Sequence, residues 1–368
     1  MYSNLVNAIE NSDLAMARAS LESILGEGQV KVWAIHDALF PVVHRVLNPP
    51  FINPHLAKMY AINRELVQYL DPADIALLLR VEIEEYTRRD KLSFVDRPVS
   101  LPLVSDFTHI EKAIAEKDVA GTASAMASFS RETGLTQLVS RLLLLGSGFL
   151  NSSLGHSVSC TAFILQEITK RKDEDLWPVF ALLADYFCKG KFQQTSKLQY
   201  SALSDYREVY LTELKRAVSG AGVVALHHTI TLYAIERSRH FFEPQEYDHL
   251  LTMWMHMLGE KQEELIPVEE FGTVILPDFQ EFYSVFSTYN PVLILNMVKG
   301  VLNSREDRNR LGSYLIKSVL QCYNGRYDPH YLTGLGASLW VIENFHDQPD
   351  IVMNALLQYL NYFFSGIR

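Results

Sequence analysis

IVMNALLQYLNYF, residues 351–363, shows the pattern that decides the fold of this chain. Its apolar residues recur at intervals of three and four, which places them along one face of an α-helix. The same spacing returns along much of the chain, whereas the alternating runs typical of β-strands are scarce. The apolar positions in this stretch are Ile351, Ala355, Leu356, Tyr359, Leu360 and Phe363.

Start and stop signals divide the rest of the chain into short helical segments. Asp71 and Pro72 place a capping carboxylate and a proline at the start of one apolar stretch. Asn290-Pro291 is typical of a break between helices. With helices of about 11–12 residues and short connections, the sequence predicts an all-α fold of roughly fifteen helices. One segment, FGTVIL at 271–276, fits either a short strand or a loop.

Composition limits the partners of the protein and its place in the cell. The chain has 368 residues, of which 48% are hydrophobic, and its net charge is −10. Nucleic acid and anionic membranes require clustered Lys and Arg, so neither is an expected partner. The first residues show no signal-peptide pattern, and no apolar run reaches the roughly 18 residues of a membrane span. We therefore expect a cytoplasmic protein, and its oligomeric state is left open.

A short motif occurs four times along the chain. It consists of a histidine, a hydroxyl or amine side chain three residues later, and a small residue at six. Because three residues make nearly one helical turn, these side chains share one helical face. Each histidine follows a loop, so the motif predicts an irregular array of helical repeats with a histidine near each helix start. The copies begin at His55, His156, His228 and, more loosely, His330.

Internal similarity also suggests how the array is divided. AIENSDLA at 8–15 resembles AIAEKDVA at 113–120, about a hundred residues later. We expect an N-terminal helical unit, residues 1–105, and a helical-repeat domain, residues 106–368, packed continuously with it. Residues 1–105 and 106–200 are accordingly expected to superpose.

His156, His228 and His330 are the predicted catalytic residues. The partial positive charge at a helix N-terminus disfavours the imidazolium ion, so a ring there stays neutral near pH 7 and can accept a proton. Several such rings in one cavity would form an acid–base or ligand site, with aromatic side chains as its walls. The alternative is that each histidine packs within its own repeat through a backbone hydrogen bond.

The sequence predicts no metal site. His249 and His256 share a helical face, but neither an HExxH motif nor paired ExxH motifs accompany them. The adjacent His227 and His228 point about 100° apart on a helix and cannot easily share one ion. The three cysteines are widely separated and include no CxxC pair, which argues against a thiolate site and against a disulfide framework.

Two stretches of the C-terminal part resemble the questin oxidase-like family. They are residues 226–254, LHHTITLYAIERSRHFFEPQEYDHLLTMW, and residues 328–360, DPHYLTGLGASLWVIENFHDQPDIVMNALLQYL. In that family a histidine leads a helix with Thr or Lys three residues later, and Asp-x-His introduces the last such helix. The His-Pro-x-x-His segment of the family is missing here. The matching residues are His156, His228, Thr231, Ala234, Asp328, His330, Thr333 and Ala337.

The resemblance implies an all-α fold and, for characterised fungal members, oxygen-dependent opening of an anthraquinone ring with NADPH as the reductant. It therefore implies an oxidoreductase that acts on a flat aromatic or quinone-like small molecule. NADPH is implied by the resemblance alone, because no residue pattern indicates a cofactor. The alternative is a non-catalytic helical-repeat scaffold that binds another protein, for which a long open groove is expected instead of a deep aromatic pocket.

Overall fold

The computed structural model describes residues 2–26, 32–171, 175–190, 192, 206–259 and 264–368. These residues form eighteen α-helices and no β-strand, which confirms the all-α class. The helices are α1 Tyr2–Glu10, α2 Leu14–Gly26, α3 Val32–Val43, α4 His55–Leu66, α5 Pro72–Arg88, α6 Thr108–Ala115, α7 Val119–Thr133, α8 Leu135–Ser147, α9 His156–Thr169, α10 Trp177–Lys189, α11 Tyr206–Ser219, α12 Gly222–Ser238, α13 Pro244–Leu258, α14 Phe279–Phe286, α15 Pro291–Val301, α16 Arg305–Gln321, α17 His330–Asn344 and α18 Pro349–Ile367.

The helix count exceeds the predicted fifteen because several helices are shorter than the average length behind that estimate. Helices α6 and α14 each have eight residues. The segment 271–276, for which a strand was one possibility, lies in a loop. Its backbone is held to α15 by the Val274 N–H, which donates to the Asn296 carbonyl oxygen at 2.9 Å.

Local capping explains where the predicted helices begin. The Asp71 carboxylate accepts hydrogen bonds from the backbone N–H groups of Ala73 and Asp74, and Pro72 is the first residue of α5. The Asn290 side chain accepts from the Val292 N–H at the start of α15. These side chains satisfy N–H groups that have no partner inside the helix.

One hydrophobic core extends from Leu5 in α1 to Phe364 in α18. Within it, the four helices that carry the histidine motif pack as a closed ring: α4 contacts α9, α9 contacts α12, α12 contacts α17, and α17 contacts α4. The two parts of the predicted division therefore pack together through α4. The expected superposition of residues 1–105 and 106–200 reaches beyond the described residues and stays a prediction.

None of the described helices is both long enough and apolar enough to cross a lipid bilayer.

Candidate functional site: a histidine cluster at the end of four helices

Four histidine rings meet at one end of the ring of helices. His55, His156 and His330 are the first residues of α4, α9 and α17, and His227 lies in the second turn of α12. His156 Nε2 lies 2.7 Å from His55 Nε2 and 3.0 Å from His227 Nε2. The His330 ring centroid lies 4.6 Å from that of His227 and 5.1 Å from that of His55. We call these four residues the histidine cluster. The structure thus brings His156 and His330 together, and their catalytic role stays a prediction.

His228, the third predicted residue, does not belong to the histidine cluster. The sequence motif predicts a loop over residues 220–226 and a helix that starts near His228. In the structure α12 already begins at Gly222, which has a φ of +81°. Neighbouring residues on a helix point about 100° apart, so His228 faces away when His227 faces the other rings. His228 is half-buried, and burial, with a smaller contribution from Arg216, lowers its pKa to about 4. His227 therefore replaces His228 at the site.

Two members of the histidine cluster are missing from the predicted catalytic set. His55 carries the motif, so the repeat could have identified it. His227 has no sequence signal of its own, because which of the two adjacent histidines faces inward depends on where α12 begins.

The far side of each ring shows which nitrogen carries its proton. His156 Nδ1 lies 2.6 Å from the Ser153 carbonyl oxygen, and His227 Nδ1 lies 2.6 Å from the Val223 carbonyl oxygen. A carbonyl oxygen can only accept, so both Nδ1 atoms carry protons. The Nε2 atoms of neutral His156 and His227 are therefore bare, although they face each other.

The Nδ1 atom of His330 also has an acceptor behind it, which here is a carboxylate. Its Nδ1 donates to Asp328 Oδ1 at 2.6 Å, and its backbone N–H donates to the same oxygen at 2.8 Å. The Tyr362 hydroxyl donates to Asp328 Oδ2 at 2.5 Å. Burial by itself would raise the pKa of Asp328, but these hydrogen bonds, first that from the His330 ring, lower it to about 2. His330 Nε2 is buried and has no hydrogen-bond partner among the described residues.

His55 has the opposite proton arrangement. Arg89 Nη1 donates to Asn48 Oδ1 at 2.8 Å, which leaves Asn48 Nδ2 as a donor to His55 Nδ1 at 3.1 Å. Since His55 Nδ1 accepts this bond, the proton of the neutral ring lies on Nε2. His55 thus donates to the bare Nε2 of His156.

His55, His156 and His227 are electrically neutral near pH 7. Burial is the largest cause that lowers the pKa values of His55, His156 and His227 well below the ordinary 6.5, and neighbouring basic groups lower them further. Lys58, one helical turn after His55, is fully buried, and burial lowers its pKa as well. Neutral imidazoles with bare Nε2 atoms can bind a metal ion or accept a proton.

The hydroxyl and amine positions of the motif lie one turn further along the helices. Lys58 Nζ, Ser159 Oγ and Thr231 Oγ1 are buried and have no hydrogen-bond partner in the described part of the chain. Thr333 Oγ1, in contrast, donates to the Pro329 carbonyl oxygen at 3.0 Å. The motif thus places polar atoms with unused hydrogen-bonding capacity behind the histidine cluster.

The histidine cluster lines a cavity of about 540 Å³, within the usual range for a small-molecule site. Phe51, Phe149, Tyr327 and Tyr362 supply aromatic parts of its wall. The Phe51 ring stands perpendicular to that of His55, with 6.0 Å between the centroids. The polar histidine surface therefore faces a space with flat apolar walls.

A second cavity, of about 490 Å³, lies beside Trp340. Its charged side chains are already engaged: Arg237 pairs with Glu65, and Glu236 accepts a hydrogen bond from the Tyr247 hydroxyl at 2.6 Å. The cavity at the histidine cluster, with its bare nitrogens, is the stronger candidate for chemistry.

The geometry of the histidine cluster would also suit a metal ion, whereas the sequence predicts no metal site, and that expectation stays a prediction. Ligand atoms of His55, His156 and His330 all lie within 4.8 Å of one another. Two nitrogens bound to one ion at about 2.0–2.1 Å lie roughly 3 Å apart, close to the separation between His156 and His227. The spacing of residues in the sequence can reveal only metal ligands that lie on the same helix. The four histidines of the cluster come from four different helices.

Distance and proton placement favour different sets of ligands. Distance alone selects His55 with His156 and His330, but the Nε2 atom of His55 carries its proton. We favour His156, His227 and His330, because a nitrogen needs a free lone pair to bind a metal. On binding an ion, His156 Nε2 would give up the hydrogen bond that it accepts from His55.

No family model, no curated protein and no solved structure matches this chain. The resemblance to the questin oxidase-like family therefore stays a prediction, and so does the NADPH that it implies.

Proposed function

We propose that the pocket at the histidine cluster is the active site of an oxidoreductase for a flat aromatic or quinone-like small molecule. We further propose that His156, His227 and His330 bind a transition-metal ion there. The observation that carries the proposal is the convergence of imidazole nitrogens from separate helices. Ligand atoms of His156 and His330 lie within 4.8 Å of each other, and His227 Nε2 lies 3.0 Å from His156 Nε2. Each Nδ1 proton is held by a carbonyl or carboxylate oxygen, as is usual for histidines that bind metals in proteins. The Nε2 atom of His227 lies 3.0 Å from that of His156 with no proton between them, and an ion bound by both nitrogens would remove the repulsion.

The ligand atoms narrow the choice of metal. Neutral imidazoles suit zinc, copper, iron and nickel, whereas calcium and magnesium prefer oxygen ligands. When bound, iron or copper would supply the one-electron or oxygen chemistry that an oxidoreductase requires. In this scheme Asp328 orients His330, and the His55 N–H would be released from His156 when the ion binds.

The walls of the pocket support a neutral, flat ligand. The rings of Phe51 and Phe149 offer apolar surface on which an aromatic ligand can stack. The lining also includes Arg89 and Asp328, but both are already hydrogen-bonded within the protein. The volume of the cavity and its aromatic walls favour a small molecule over the protein partner of the scaffold alternative.

Metal analysis of matched variants tests the ion. Purified protein is loaded with Fe²⁺, Cu²⁺ or Zn²⁺, dialysed and measured by mass spectrometry for metal content. We expect about one ion per chain in the wild type, more than tenfold weaker binding in His227→Ala, and no loss in His228→Ala. These neighbouring histidines differ in whether they face the cavity. Equal effects of the two substitutions, or no retained ion in the wild type, would contradict the proposal.

Ligand titration tests the pocket separately. 1-Naphthol and 1,4-naphthoquinone are flat probes that fit the cavity, and their binding can be followed by quenching of protein fluorescence. Leaving a buried polar group of the ligand unpaired costs about 1–3 kcal/mol, so His227→Ala should weaken binding by roughly five- to a hundredfold. If His156→Ala, His227→Ala and His330→Ala all bind the probes as the wild type does, the proposed small-molecule site is wrong and the scaffold alternative is favoured.

A further inference from the structure

We infer that the mouth of the pocket carries an apolar rim that binds a part of the substrate projecting from the cavity, and so selects substrates with a neutral apolar extension. The apolar rim consists of Phe51, Ile52, Leu154 and Val223, which all line the cavity. Their exposed fractions are 60%, 43%, 37% and 38%. The inference rests on the proposed function only in that a small molecule enters this pocket, and it does not require the metal ion.

The apolar rim is assembled from three separate segments of the chain. Phe51 and Ile52 precede α4, Leu154 precedes α9, and Val223 lies in the first turn of α12. Single exposed apolar residues are common on proteins, but a group gathered around one opening marks a binding surface. Each segment leads directly to a histidine of the cluster, so the apolar rim and the polar inner wall belong to one site.

Backbone conformation supports a role for Leu154. Its φ is +51°, a left-handed conformation that a leucine rarely adopts because its side chain crowds the backbone. Such conformations are retained mainly at functional sites, where the surrounding structure enforces them. Gly155 follows with a φ of +78°, and His156 then begins α9. The strained turn thus places Leu154 at the mouth and His156 at the inner wall.

The turn before α4 links the other side of the apolar rim to the histidine cluster. The Phe51 N–H donates to the Asn48 carbonyl oxygen at 3.0 Å, while the Asn48 side chain donates to His55 Nδ1 at 3.1 Å. One turn therefore orients both a ring of the cluster and the most exposed residue of the rim. A ligand long enough to reach from one to the other would contact both ends of this turn.

Charge at the pocket indicates what kind of extension fits. The guanidinium group of Arg89 is bonded to Asn48, Glu85 and the Tyr327 carbonyl oxygen. Both oxygens of Asp328 are also bonded within the protein. Among the described residues of the lining, neither Arg89 nor Asp328 is left for a charged extension, so an alkyl or aryl group fits best.

Two phenols of different length test the apolar rim. The affinities of 4-methylphenol and 4-octylphenol are measured by calorimetry on wild-type protein and on Phe51→Ala, Ile52→Ser and Val223→Ser. We expect the octyl chain to improve wild-type affinity at least tenfold, and Ile52→Ser and Val223→Ser each to remove roughly three- to tenfold of that gain without weakening 4-methylphenol. Phe51→Ala should reduce the gain too, but it should also weaken 4-methylphenol, because its ring is part of the aromatic wall. Phe94→Ala is the matched control, because Phe94 is 73% exposed and does not line the cavity.

The possible outcomes separate this inference from the proposed function. If none of the three rim substitutions reduces the octyl gain, the inference is overturned and the proposed function stands. If they reduce it while His227→Ala changes neither phenol, the inference stands and the proposed role of the histidine cluster fails. If the protein sediments with phosphatidylcholine vesicles and Phe51→Ala releases it, the apolar rim faces a membrane and the inference is overturned.

Discussion

Two of the places where the protein buries histidines differ in what lies around the rings. The histidine cluster borders a cavity of about 540 Å³. A second group, in the core between α3 and α5, places His36 Nε2 3.4 Å from Glu82 Oε2, with both side chains fully buried. Asn63 Nδ2 donates to Glu82 Oε1 at 2.8 Å, and the Tyr86 hydroxyl donates to the same oxygen at 3.1 Å. We call His36 and Glu82 the core pair.

Burial affects the protonation of the core pair and of the histidine cluster in different ways. In the core pair, burial raises the pKa of Glu82 to about 8 and is the main cause that lowers the pKa of His36 to about 3. At neutral pH Glu82 therefore carries the proton, and the pair is neutral. In the histidine cluster, carbonyl oxygens behind His156 and His227 hold the ring protons on Nδ1 and leave the Nε2 atoms bare, and His330 Nε2 has no hydrogen-bond partner among the described residues. The comparison shows that the core pair is enclosed by the core, whereas the histidine cluster presents imidazole nitrogens to a cavity.

The largest expected contrast is in metal binding. His156 Nε2 lies between the Nε2 atoms of His55 and His227, so His156→Ala should weaken binding of Fe²⁺ or Zn²⁺ by at least about a hundredfold. His36→Ala should leave the metal affinity unchanged, because His36 faces Glu82 in the core. Competition with a chelator measures both, and circular dichroism checks that each variant is folded. A loss in both variants would show that the two groups are not independent.

A smaller loss of metal affinity is expected when a residue that hydrogen-bonds to a histidine ligand is changed. Asp328→Asn keeps the size of the side chain but removes the charge that holds the His330 proton on Nδ1. Such substitutions behind metal ligands usually cost about 10–100-fold in affinity, and we expect that range here. Asp71→Asn, a surface cap on α5, is the control. If both substitutions had no effect on metal affinity, Asp328 would have no part in orienting His330.

The core pair should instead control how stability depends on pH. Glu82 has a folded pKa of about 8, above its ordinary 4.5, so its contribution is fully present below about pH 4.5 and is lost as the pH rises through 8. His36 has a folded pKa of about 3, below its ordinary 6.5, so its contribution is present above about pH 6.5 and is lost as the pH falls through 3. The two effects offset each other between these ordinary values.

Urea unfolding between pH 6.5 and 8 measures the alkaline side of this dependence. One proton over 1.5 pH units corresponds to about 2 kcal/mol of unfolding free energy, which the wild type should lose relative to Glu82→Gln. Glu82→Gln keeps an acceptor for Asn63 and Tyr86 but does not titrate. Parallel curves for the two proteins would mean that Glu82 is already ionised in the core.

The sequence by itself determined the helical class and much of the position of the site. Apolar periodicity such as that of residues 351–363 requires helices, because a helix must bury one continuous face. The Asp71-Pro72 signal located the start of α5, since both residues act through the local backbone. The motif also indicated that His156 and His330 begin helices, and they do.

Tertiary structure decided which histidines meet and what they can do. The start of α12 at Gly222 sets the rotation that turns His227 inward and His228 away, and a shift of one residue would rotate the helix by about 100°. The closed ring of α4, α9, α12 and α17 brings together ligands from distant parts of the chain, which no spacing within one helix can reveal. Proton positions depend in turn on acceptors such as the Asp328 carboxylate, and these take their places only when the helices pack.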